Sequence, residues 1–231
     1  MPAVNPLEQK RRLREAEAKA AWLFQQVEDR GLIRAGITEQ LLNDEVYALA
    51  LELFGIRKYW HKRIVRAGPN TLQPYKENPP NLPIEADDIL FFDFGPVFEE
   101  WEADFGRTYV LGVDPVKLRI KQDIEEAWHS GKSYFDAHRD ITGAQLYRYI
   151  QDLTAAKGWE YPQHHCGHLI GHFPHEDLHG KDLHDYIHPE NHIPMRDGDA
   201  HGNPRDWILE IHFVDRSRQI GGFFEQLLTV E

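Results

Sequence analysis

Apolar and polar positions alternate along this chain in blocks that predict its elements in order. Residues 7–28 mix Ala, Glu, Lys, Arg and Leu with helical spacing, which predicts a long amphipathic helix ending near Gly31. A second helix is expected from Thr38, a suitable N-cap, with Leu41, Leu42, Val46 and Leu49 as its apolar stripe and a stop near Gly55. A short strand is expected over 63–66, then a turn at Ala67-Gly68-Pro69-Asn70 and a proline-rich loop to Pro83. Ile89-Leu90-Phe91-Phe92 is an apolar run closed by Asp93, the pattern of a buried strand that delivers a carboxylate. Asp93-Phe94-Gly95 recurs eleven residues later as Asp104-Phe105-Gly106, followed by the apolar Tyr109-Val110-Leu111. A hairpin with two facing carboxylates is therefore expected. Val113-Asp114-Pro115 opens a helix to about Ala137, and the next helix begins at Ile141-Thr142. Near the end, two apolar runs over 207–213 and 223–228 are each interrupted by one carboxylate, Glu210 and Glu225, with a turn at 215–219. They predict a second hairpin that mirrors the first.

The same blocks contain an internal repeat. At a fixed offset of 104, Ile37 matches Ile141, Thr38 matches Thr142, Leu42 matches Leu146, Val46 matches Ile150 and Leu49 matches Leu153. Each helix stops near a glycine, Gly55 or Gly158, ahead of a strand-like segment. The expected architecture is α+β: two pseudo-twofold-related halves, about 7–113 and 114–231, forming one curved sheet covered by helices. No linker composition separates the halves, so 1–231 reads as a single domain with no separate N-terminal domain.

Composition narrows the function more than the fold. The chain has 231 residues, long enough for a sizeable core, and 41% hydrophobic content is ordinary for a globular protein. A formal charge of −12 argues against nucleic acid, which calls for a basic face. The only cysteine, Cys166, excludes an intrachain disulfide, and the start of the chain has no apolar leader segment. No stretch approaches a membrane span. A cytoplasmic protein with no membrane partner is expected. Histidine is the anomaly: 11 of the 14 fall between His164 and His212.

Carboxylates on strands that must be buried are costly unless a cation lies between them, and oxygen-rich sites suit divalent ions. Asp93, Asp104, Glu210 and Glu225 are such carboxylates. His164-His165-Cys166-Gly167-His168-Leu169-Ile170-Gly171-His172-Phe173-Pro174-His175 adds imidazoles. One histidine with four carboxylates is a sensible set for two divalent ions.

On these residues the chain resembles the pita-bread metallopeptidases: methionine aminopeptidases, Xaa-Pro aminopeptidases, prolidases and creatinase. The family's ordered ligands Asp, Asp, His, Glu, Glu stand here as Asp93, Asp104, His168, Glu210 and Glu225. The resemblance implies two divalent metal ions, Mn first and Co, Zn or Fe as alternatives, and a metal-bridging hydroxide that cleaves an N-terminal peptide bond. It implies bridging by Asp93 and Glu225, one ion held by Asp104, the other by His168 and Glu210, and Glu210 as general base. His175 matches the family histidine that contacts the substrate carbonyl, and His164 matches the extra histidine of the Xaa-Pro branch. His212, two residues beyond Glu210, should point to the same face and join substrate binding. His165, His172 and the histidines at 179, 184, 188, 192 and 201 read as loop residues without a role.

The sequence also departs from the family. The usual first-half histidine should fall within Gln73-Pro74-Tyr75-Lys76, where none stands, and Phe223 takes the place of an arginine two residues before the last ligand. The polar tract 176–205 is long, as lids and substrate walls are. These differences keep a second enzyme class in view, a creatinase-like member acting on a small non-peptide C–N bond. A non-catalytic peptide-binding module is a third reading, which retention of all five ligands opposes. A small peptide or other small molecule is the expected partner, with room for a homodimer.

Overall fold

The computed structural model describes residues 5–73, 75–174, 183–199 and 202–229. Helix α1 (Pro6–Asp29) starts where the Asn5 side chain accepts a bond from the Leu7 amide, and it buries Leu13, Ala16, Ala20, Leu23, Phe24 and Val27 along one face. Helix α2 (Glu39–Phe54) is capped by Thr38 and stopped by Gly55 in the left-handed region, φ 68°. Leu42, Val46 and Leu49 form its buried stripe. Leu41, expected in that stripe, is instead 46% exposed, because one residue is about 100° of helical rotation from Leu42. Helix α3 (Pro115–Ala137) begins at Asp114, and α4 (Gly143–Lys157) at a capping box formed by Thr142 and Gln145.

Each helix pair precedes three strands of one antiparallel sheet. In chain order these are β1 (Ile64–Ala67), β2 (Ile89–Phe94), the small pair β3 (Val97–Phe98) and β4 (Trp101–Glu102), β5 (Phe105–Val110), β6 (Leu169–Ile170), β7 (Asp206–Asp215) and β8 (Ile220–Leu227). The six-stranded sheet runs β1-β2-β5-β8-β7-β6, so the second trio mirrors the first. The trios meet where Gly106 on β5 pairs with Glu225 on β8.

Strand alternation then sorts the side chains. Val65, Ala67, Leu90, Phe92 and Phe94 join α1 and α2 in one core, while Leu209, Ile211, Phe213 and Phe224 join α3 and α4 in the other. Trp128 on α3 donates its indole N–H to the Leu209 carbonyl at 2.9 Å, fixing helix to strand. The intervening positions, Ile64, Arg66, Phe91, Asp93, Glu210, His212, Phe223 and Glu225, are left for the opposite face. Among the described residues, no helix is long and apolar enough to cross a membrane.

One acidic residue of the helical layer is half-buried. Glu17 on α1 lies by Arg107 and Gln226, and burial pushes its carboxyl up to about 7, against the pull of the Arg107 guanidinium. Its folded value lies above its unfolded one, so its contribution to stability is complete below about pH 4.5 and is lost as pH rises through 7. Glu17→Gln should therefore raise the melting temperature at pH 8 by about 2–4 °C and leave it unchanged near pH 4. Thermal melts at both values check this; an equal shift at both would contradict it.

Candidate metal centre

The two Asp-Phe-Gly units are built for close approach. Asp93 lies within β2 opposite Gly106, and Asp104 sits just ahead of β5. The aspartates are therefore not cross-strand partners, as a plain hairpin would make them. The eleven-residue spacing contains the β3–β4 turn, where Glu99 and Glu100 take φ of 50° and 72°. Both glycines are required by space. A Cβ on Gly95 would lie 2.2 Å from the His61 ring and 2.4 Å from the Trp60 indole, and one on Gly106 would lie 2.6 Å from the Phe223 ring. In the second hairpin Glu210 pairs directly with Glu225, as the mirrored pattern predicts.

Asp93, Asp104, His168, Glu210 and Glu225 are all buried. Ligand atoms of Asp104, His168 and Glu225 lie within 4.8 Å of one another, and so do those of His61, Asp93 and Asp104. Asp104 is common to both groups. Its Oδ2 is 3.2 Å from His168 Nε2 and its Oδ1 is 3.0 Å from His61 Nε2. The electrostatics follow from this crowding. Burial pushes the Asp93 and Glu225 carboxyls up, and the neighbouring carboxylates push them further. Burial would raise Asp104 as well, but His61 and His168 outweigh it and hold that carboxyl low. His165 does the same for Glu210. Burial disfavours charge on His61 and His168, yet Asp104, with Asp93 for His61 and Glu210 for His168, brings both up to about 9.

The donor set fits divalent cations. Glu210 Oε1 and Glu225 Oε2 are buried with no hydrogen-bond partner, and four carboxylates share one buried site. Such groups persist only where something positive completes them. Carboxylate oxygens with imidazole nitrogens suit Mn, Co, Zn or Fe.

The histidines sort differently from the sequence reading. His164, expected to orient substrate, is exposed. Its neighbour His165, read as a loop residue, places Nδ1 2.8 Å from Glu210 Oε1 and packs its ring against Tyr186. That approach is a close contact out of hydrogen-bonding line, since both atoms lack a hydrogen-bond partner. His175 lies outside the described residues, as does the 176–182 part of the polar tract. His212 is buried on the site face as expected, but the Thr71 carbonyl holds its Nε2 at 2.8 Å and its ring packs on Phe91 and Phe223. With Ile64 these rings form an apolar wall beside the carboxylates.

His61, Trp60 and Tyr186 escaped the sequence reading. Trp60 touches the rings of both His61 and His168, and Tyr186 packs on His165 and His168. The signal for His61 was its isolation: it stands in Tyr59-Trp60-His61, a ring-rich triplet just before β1. Ile187, beside Tyr186, is fully buried and bonded to Gly167 and Cys166, so this part of the polar tract is a wall of the site. Where the usual first-half histidine would stand, Tyr75 packs edge-on against His61, and Arg66 binds the carbonyls of Gln73, Tyr75 and Glu77.

Comparison with known proteins agrees with this architecture. Residues 11–203 match the model of metallopeptidase family M24. An Xaa-Pro dipeptidase of Lactobacillus helveticus is 27% identical over 172 residues, 73% of this chain and 45% of that protein. The structure of a prolidase from Thermococcus sibiricus superposes with a TM-score of 0.80 at 19% identity, covering 99% of this chain and 57% of that one. A methionine aminopeptidase from Rickettsia prowazekii gives 0.74 at 15% identity, covering 100% of this chain and 96% of that one. The chain thus spans about half the length of the Xaa-Pro relatives it matches. At these identities the structural likeness shows the fold, which is the α+β pita-bread fold.

Proposed function

Because the chain belongs to metallopeptidase family M24, we propose that it is a metal-dependent hydrolase that cleaves the N-terminal peptide bond of short peptides with proline in second position. The observation that carries this reading is the convergence of Asp93, Asp104, His168 and Glu225 in one buried site, with Glu210 paired across the strands to Glu225 and carboxylate oxygens left unpartnered. The Xaa-Pro assignment draws on the named relatives and on the apolar wall of Ile64, Phe91, Phe223 and His212, whose chemistry suits a pyrrolidine ring.

Those five residues would hold two divalent cations. Bound there, the cations would acidify a water and polarise the scissile carbonyl. Glu210, with Oε1 free of hydrogen bonds and held ionised by His165, is the proton acceptor for that water. His165 lies 2.8 Å from that oxygen and favours the ionised carboxylate before the proton arrives. Trp60 and Tyr186 pack over His168, whose ring is buried from bulk water. His175, by its spacing from His168, is proposed as donor to the carbonyl oxygen.

Phe223 and Tyr75 favour a second reading in the same site. They replace polar groups that relatives use on peptide main chains, so a narrower substrate, even a small non-peptide amide, is the alternative. A panel of Xaa-Pro peptides, methionyl peptides and small amides, assayed with Mn, Co and Zn, separates the two. We expect cleavage of a narrow subset, and ordinary Xaa-Pro dipeptides to be poor members of it. Fast cleavage across all Xaa-Pro peptides, at kcat/KM of about 10⁴ M⁻¹s⁻¹ or more, would contradict the narrow specificity. No metal-dependent hydrolysis of any member would contradict the proposed activity.

A further inference from the structure

His61 and His168 meet Asp104 in the same way. His168 sets Nδ1 2.8 Å from the carbonyl of the next residue, Leu169, and aims Nε2 at Asp104 Oδ2, 3.2 Å away. His61 sets Nδ1 2.7 Å from the carbonyl of its own next residue, Lys62, and aims Nε2 at Asp104 Oδ1, 3.0 Å away, and at Asp93 Oδ1, 3.5 Å away. An Nδ1–H given to a backbone carbonyl fixes the tautomer and leaves Nε2 as the donor atom, the usual arrangement of a metal-bound imidazole.

The chain holds His61 there by several independent means. Its segment is fastened to the strand end just past Asp93, since the Trp60 amide bonds to the Gly95 carbonyl and the Val97 amide to the Lys58 carbonyl. Gly95 keeps open the space its ring occupies, and Trp60 and Tyr75 flank that ring. Only 7% of the side chain is exposed, so its nitrogen faces the aspartates rather than water.

On the reading of the five-residue metal centre, we propose that His61 is a sixth ligand, giving the cation at Asp93 and Asp104 a nitrogen donor. The site then offers one imidazole to each cation rather than both to one side. Nitrogen donors favour Zn, Co and Fe over Mn and Mg, so the Asp93–Asp104 position becomes selective for the former. In this chain the first-half imidazole reaches the centre ahead of β1 instead of from the loop at Tyr75.

Proton NMR of the full chain loaded with Co(II) tests this by counting. A metal-bound imidazole shows one strongly shifted Nδ1–H resonance that disappears in D2O. Two such resonances are expected in the wild type, and one in either His61→Phe or His61→Gln. Zinc titrations of the same variants should show one of two sites weakened by about tenfold or more, with a smaller change for Mn. A single resonance in the wild type, unchanged in the variants, would overturn the proposal and leave His61 as a hydrogen-bonding partner of Asp104. Failure of the wild type to take up Co(II) would instead overturn the metal centre itself, and the ligand with it.

Discussion

Asp104→Asn is expected to reduce hydrolysis by about 10³-fold or more, the scale set by losing a group on which transition-state stabilisation depends. Asp104 is the member common to both groups of ligand atoms, so its loss should weaken both cations rather than one. Asparagine keeps the shape of the side chain while removing the charge that holds His61 and His168 in place. The fold is expected to persist at lower stability, because asparagine keeps the shape of the side chain while His61 and His168 lose the charge they are paired with. Calorimetric titration with Mn and Zn, alongside turnover, provides the check. Unchanged stoichiometry and affinity in a folded variant would contradict the assignment.

The second large effect concerns metal removal and pH. In the metal-free protein the Asp93 and Glu225 carboxyls are raised by burial and by the neighbouring carboxylates Asp104 and Glu210, Asp93 to about 7. A raised folded value contributes stability at low pH that is lost as pH climbs through it. His61 and His168, both near 9, act in the same sense: their contribution is complete below about 6.5 and lost through 9. Asp104 and Glu210 are held low, so their contribution fades only at acid pH and is flat in this window. Chelated protein should thus lose stability steadily from pH 5 to pH 9. Divalent cations bind the deprotonated ligands, so the stabilisation they add should grow with pH. At a hundred times the dissociation constant it amounts to about 2.7 kcal/mol per site, or about 5–10 °C for a chain of this size. Melting curves of chelated and Mn-loaded protein across that range measure it. A metal-free melting temperature that rises from pH 5 to 9, or one that Mn does not move, would contradict the account.

Much of this was legible in the sequence because single local rules governed it. Helix boundaries followed from Thr38, Asp114, Thr142, Gly55 and Gly158, each a cap with its own chemistry. The strand-borne carboxylates were visible because a charge inside an apolar run has few explanations. What escaped depended on three-dimensional proximity. His61 is 32 residues before Asp93 and carries no periodic signal. It became visible only once Gly95 was seen to hold space for its ring. The contact of His165 with Glu210 is set by the course of the chain before β6, which spacing to His168 does not encode. Leu41 illustrates the same limit in a helix, where one residue separates the buried stripe from solvent.

The central claim is that the buried cluster of Asp93, Asp104, His168, Glu210 and Glu225 is a divalent-metal centre. Elemental analysis by plasma mass spectrometry, on protein purified without chelator and again after incubation with Mn, Co or Zn and desalting, tests it most directly. The account predicts retention of one to two equivalents of a divalent metal per chain, lost in Asp104→Asn. Less than about a tenth of an equivalent in every wild-type sample would contradict it.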